Sequence, residues 1–176
     1  MRKQIETHFP IVVTNRCLQI LSDAAFGIAE PDEDKGGKSI VVVKEKADFE
    51  VDNPNQKDLC FWAIDDCTFT STEGKRCDFA IFDDATIAFV EIKRTSRANQ
   101  RKAAKTKAVI QLSQMLDNCK GKLDFINYKL LAVIALTSEK SFPVASTRKQ
   151  DAELSFFNKY RAQLLEGNGI TFPFAP

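Results

Sequence analysis

Two carboxylates and a lysine stand at a spacing that could do phosphate chemistry. They are Asp78, Glu91 and Lys93, inside the stretch 76–94. Two carboxylates held close repel each other unless a cation lies between them. Mg2+ or Mn2+ suits that place: a hard divalent ion takes one or two protein carboxylates and leaves the rest of its shell to water and phosphate. A lysine alongside would orient or deprotonate the attacking water, or neutralise charge on the phosphate.

For the three to meet, the stretch must be a β-hairpin. The runs 77–82 and 86–92 are apolar and β-favouring, and they flank Asp83-Asp84-Ala85. A turn centred between Asp84 and Ala85 pairs Asp83 with Thr86 and, counting outward, Asp78 with Glu91. Side chains alternate faces along a strand, so Lys93 joins Glu91, with Ala80, Phe82, Ile87 and Phe89 on the same side. Phe79, Ile81, Ala88, Val90 and Ile92 take the other side. Strands apolar on both faces are central strands.

At these residues the chain resembles the PD-(D/E)xK nuclease superfamily. The matching elements are Asp78, a spacer of twelve residues, then Glu91-Ile92-Lys93. Cys77 stands where the family motif has proline, a position without a chemical role. The resemblance implies a restriction-endonuclease-like αβββαβ core, an α/β fold with a central mixed sheet flanked by helices. It implies a Mg2+- or Mn2+-dependent nuclease with Asp78 and Glu91 on the metal and Lys93 assisting. The substrate would be nucleic acid, DNA ahead of RNA, in a defence or repair setting, with a homodimer or larger complex as the assembly. The alternative is a catalytically weak nucleic-acid-binding or assembly subunit of the same fold.

The elements around the hairpin are expected as follows. Thr14 caps a helix with Leu18, Leu21, Ala25 and Ile28 on one face, ending near Gly27; its one acid is Asp23. Glu30 to Gly37 is an acidic solvated loop. Ser39–Val43 and Ala47–Val51 are short strands, and Phe61–Thr70 is the first strand of a three-stranded meander reaching Lys93. Asp65 and Asp66 lie on that first strand, and Asp65 is a candidate third ligand. A helix capped by Thr95 or Ser96 runs to about Cys119 and stops at Gly121.

That helix opens with charge. From Lys93 to Lys107 the chain carries Lys93, Arg94, Arg97, Arg101, Lys102, Lys105 and Lys107 and no acid. Arg94, Arg97, Arg101, Lys102 and Lys105 are candidate grips on a polyphosphate backbone. Gln111 occupies the position of a functional glutamine in some branches of the superfamily, with Gln114 its rival. Tyr128–Leu136 reads as a buried strand parallel to a hairpin strand. Ser146–Lys149 leads into an amphipathic helix over 149–166, with Leu154, Phe157, Tyr160, Arg161 and Leu164 facing the core. Ile170–Phe174 is an edge strand.

Composition sets outer limits. A chain of 176 residues suits one domain over 1–176 with a sizeable core. The formal net charge of +1 offers no global field for nucleic acid, so any such signal is local. The single histidine, His8, argues against a His-built metal site or a Ser-His-Asp triad. The five cysteines include no Cys-x-x-Cys and are expected to be buried reduced thiols in a cytoplasmic protein. No apolar stretch is long enough to span a membrane, and the first residues lack a signal-peptide core.

Overall fold

The computed structural model describes residues 1–31, 36–69, 74–95, 98–137 and 150–173. The chain is an α/β protein built on two sheets. In order, its elements are helices α1 (Arg2–His8) and α2 (Ile11–Thr14), then strands β1 (Leu18–Leu21), β2 (Ala25–Ala29) and β3 (Ile40–Val42). A short 3-10 turn (Lys44–Lys46) leads to β4 (Phe49–Asp52), β5 (Leu59–Ala63), β6 (Phe79–Phe82) and β7 (Thr86–Lys93). The chain continues through α3 (Ala98–Cys119), β8 (Lys129–Leu136), α4 (Gln150–Tyr160), β9 (Ala162–Glu166) and β10 (Gly169–Thr171).

The larger sheet is mixed, in the order β1-β5-β6-β7-β8-β9. Its first four strands are antiparallel neighbours, while β8 and β9 join in parallel. The β6–β7 register is the expected one, from Phe82↔Ile87 to Phe79↔Val90. The meander β5-β6-β7 forms, and β8 lies parallel to β7 across α3. β6 and β7 are buried except at Lys93, because helices and the second sheet cover them. Phe9 at the end of α1 packs on Trp62, and Phe89 packs edge-on against Phe125 beyond α3. On the other face, Phe49 of β4 meets Phe79 at 5.6 Å between ring centroids. Each such buried side chain contributes about 1.5–3 kcal/mol, which makes the hairpin a rigid floor for a costly charged group.

The second sheet runs β10-β4-β2-β3. It contains the expected short strands near 40 and 49, and β10 is the expected edge strand, parallel to β4. A β-carbon on Gly27 would collide with the Ala47 side chain, so glycine lets the segment before β4 close onto β2. α3 carries its expected buried stripe, Ala108, Leu112, Met115 and Leu116, with Val109 half-buried. It ends at Cys119, just before Gly121 with φ +75°.

At the level of whole elements and covalent links, four expectations fail. The helix expected from Thr14 is instead the strands β1 and β2, separated at the exposed Asp23. Leu18, Leu21, Ala25 and Ile28 fit a helical stripe, but Gly27 disfavours a helix and two sheets each take a strand from the segment. The expected strand 61–70 is β5, ending at Ala63, so Asp65 and Asp66 sit on the turn beyond it. The helix expected over 149–166 ends at Tyr160, where Arg161 turns with φ +57° and β9 adds to the open edge of β8. Leu154 and Phe157 are 58% and 45% exposed, and Phe156 takes the core position.

The fourth failure is covalent. Cys17 and Cys67 form a disulfide, leaving Cys60, Cys77 and Cys119 as buried thiols. Pairing of β1 with β5 brings together two cysteines 50 residues apart. Among the described residues, no helix is long and apolar enough to cross a membrane.

Candidate active site

Glu91 and Lys93 leave β7 on one face, as strand alternation requires. Glu91 is fully buried, and its Oε1 accepts an ion-paired hydrogen bond from the Lys93 ammonium, whose side chain is 24% exposed. Its other oxygen, Oε2, is buried and has no hydrogen-bond partner among the described residues. Burial pushes the Glu91 carboxyl up to about 8, against the pull of Lys93. Burial also opposes the Lys93 charge, yet the Glu91 and Asp78 carboxylates and Glu30 hold the ammonium above the ordinary lysine value.

Asp78 stands one residue before β6. The expected cross-strand pairing of Asp78 with Glu91 does not form, because the ladder bulges here. The Asp78 N–H donates to the Val90 carbonyl at 3.1 Å, although Val90 is already the partner of Phe79. On its other side, the Asp78 carbonyl accepts from both Ile64 and Asp65, at 3.0 and 3.1 Å. The Asp78 carboxylate takes the Ile92 N–H at 2.5 Å. A bulge re-aims one side chain and bends its strand, and such features gather next to active sites. Burial, then Glu91 and Glu30, raise the Asp78 carboxyl well above its ordinary value.

A cavity of about 240 Å³ opens at this end of the sheet, lined by Asp78 and Lys93 together with Glu30, Asp65, Asp66 and Arg94 among others. Glu30 was not singled out by the sequence, which places it in an acidic run with the signature of a solvated turn. It continues β2 and accepts a short hydrogen bond from the buried Ser39 hydroxyl. Burial raises its carboxyl above the ordinary value, against the Ser39 bond, with Asp65 and Asp48 adding to the rise. Asp23, the acid expected from the N-terminal region, is exposed on the β1–β2 turn.

The candidate grips separate into groups. The Arg94 guanidinium donates to the Glu30 and Pro31 carbonyls at 2.6 and 3.2 Å and to Asp48 at 2.7 Å, tying the second sheet to the end of β7. Lys105 pairs with Glu166 at 2.5 Å. Lys102 is exposed on α3 and Arg101 is half-buried there. Arg97, Ser96 and the 146–149 segment lie outside the described residues. Asp65 is engaged by Arg76, whose Nε donates to it at 2.6 Å. The Gln111 amide donates to the Arg76 carbonyl at 3.1 Å, so it braces the entry to β6.

Among the described residues, no three Asp, Glu, Cys or His side chains form a ready-made metal cage. Mg2+ does not require one, since it keeps several waters and takes one or two carboxylates. The orphaned Glu91 oxygen beside Asp78 fits that demand: a buried carboxylate oxygen lacking a partner is costly until a cation meets it. No family model, curated protein or solved structure matches the chain.

Proposed function

We propose that the protein is a metal-dependent nuclease with a restriction-endonuclease-like core, cleaving phosphodiester bonds in nucleic acid, DNA ahead of RNA. One observation carries the reading: the unpartnered Oε2 of Glu91 is buried beside Asp78, with Lys93 bridging from Glu91 to the cavity. Asp78 and Glu91 would hold Mg2+ or Mn2+, with Glu30 lining the same cavity as Asp78. Such an ion, when bound, polarises a phosphoryl oxygen and acidifies a water.

The chain's own residues do the rest. The Asp78 carboxylate is fixed by the Ile92 N–H, so it cannot swing away as charge builds. Lys93 reaches the cavity with a charged ammonium, placed to orient water or to offset charge on the transferring phosphate. Lys102 and Arg101 would meet the backbone of a longer substrate. A second reading is a catalytically weak nucleic-acid-binding or assembly subunit of the same fold; the internal pairs of Arg94 and Lys105, two of the candidate grips, favour its assembly form.

Incubating purified protein with single- and double-stranded DNA and RNA, in Mg2+, Mn2+ or EDTA, separates the readings. The nuclease reading expects metal-dependent products that Lys93→Ala loses. Salt-sensitive binding without cleavage would favour the binding subunit.

A further inference from the structure

The disulfide reaches the wall of the cavity. Cys67 directly follows Asp65 and Asp66, which line it. The carboxylate of Asp66 accepts the Gly37 N–H at 3.2 Å, and Gly36 and Gly37 form the neighbouring wall. Next to Gly37, the Lys38 ammonium donates to the Asn15 and Arg16 carbonyls at 3.2 and 3.3 Å, just before Cys17. The Asn15 amide donates to the Cys67 carbonyl at 2.9 Å. Three segments, 15–17, 36–38 and 65–67, therefore close on one another around a single covalent bond. Two of them are walls of the candidate site. Asp66 has φ +51°, a left-handed conformation that aspartate enters more readily than most residues.

We propose that the Cys17–Cys67 disulfide is a redox latch on this cavity. Oxidised, it holds the Asp65-Asp66 and Gly36-Gly37 walls in place. Reduced, it releases the 65–67 turn, and cleavage falls. This rests on the nuclease reading above, of which it is the regulation. Reduction is by a dithiol. One thiolate of the reductant attacks a cysteine sulfur, the S–S bond breaks and a mixed disulfide forms. The second reductant thiol then displaces the protein sulfur. Two electrons and two protons end on Cys17 and Cys67, and the reductant leaves as its own disulfide. Cys17 and Cys67 are 1% and 5% exposed, so attack waits on local opening and the latch responds slowly. The remaining cysteines do not compete for the bond: burial pushes the Cys60 and Cys119 thiols up to about 12, and Cys77 well above its ordinary value.

The test compares oxidised protein, protein reduced with dithiothreitol, and the Cys17→Ser/Cys67→Ser double variant, all well below their melting temperatures. Two readouts are taken: Mn2+-dependent cleavage and backbone hydrogen exchange. The latch expects cleavage to fall at least tenfold in the reduced and double-variant proteins. It expects faster exchange at 36–38 and 64–68, with β6 and β7 amides still protected. Equal cleavage in all three, or unchanged exchange at those two segments, would overturn it. So would loss of protection throughout β6 and β7, which would make the bond a staple of the whole fold. If oxidised protein does not cleave at all, it is the nuclease reading that fails, and exchange alone decides whether the bond holds the walls.

Discussion

Both ends of one hairpin bury carboxylates, and the fold treats Asp83 at the turn differently from Glu91 at the open end. At the turn, Asp83 is 7% exposed, and one of its oxygens accepts the Ala85 and Thr86 N–H groups at 2.9 and 2.7 Å. Its charge is met by backbone donors, and its work is to shape the turn. At the other end Glu91 is fully buried, with one oxygen paired to Lys93 and the other to nothing. The first acid is complete within the fold. The second keeps one oxygen unmet among the described residues. Burial alone therefore does not separate the two acids; what separates them is the oxygen of Glu91 that no described residue meets.

Glu91→Gln should lower metal-dependent cleavage by at least about 100-fold in a steady-state assay, since even indirect support of a metal ligand is commonly worth 10–100-fold. The fold should survive, because a neutral amide removes a buried charge. Asp83→Ala should do the reverse. It orphans two N–H groups, costing about 1–3 kcal/mol, and lowers the melting temperature by several degrees at about 2–4 °C per kcal/mol. Cleavage measured well below that temperature should stay near wild type. Equal losses of activity in both variants would erase the distinction.

A smaller effect lies in pH. The Glu91 carboxyl is raised in the folded protein to about 8, by burial working against Lys93. A raised acid contributes stability that is present below its unfolded value and lost as pH rises through the folded one. In EDTA, denaturant midpoints of the wild type should fall between roughly pH 5 and 8, and Glu91→Gln should remove part of that slope. Asp83→Ala should keep it. The smallest effect expected is silence: native protein at pH 8 should not react with iodoacetamide at Cys60 or Cys119, whose thiols burial raises to about 12. Rapid labelling, read by mass spectrometry, would contradict that burial.

The hairpin was legible because its contacts are local. A turn at Asp83-Asp84-Ala85 and two apolar runs set the register, and the apolar run at 130–136 reads as the buried strand it forms. The bulge at Asp78 was not legible, since it depends on β5 approaching from the other side. Glu30 was hidden for the same reason: Arg94 and Asp48 bring it to the cavity from another sheet. Leu18 to Ile28 misled because their spacing satisfies a helix while two sheets claim the segment as strands. The disulfide is a product of that same pairing, and an odd count of cysteines gives no hint of it.

Under the proposed function, the unmet oxygen of Glu91 takes a cation. Titrating Mn2+ into metal-free wild type, Glu91→Gln and Asp83→Ala, followed by calorimetry, tests it most directly. One site is expected in wild type and Asp83→Ala, and its loss in Glu91→Gln. Undiminished Mn2+ binding by Glu91→Gln, or none by the wild type at millimolar metal, would contradict it.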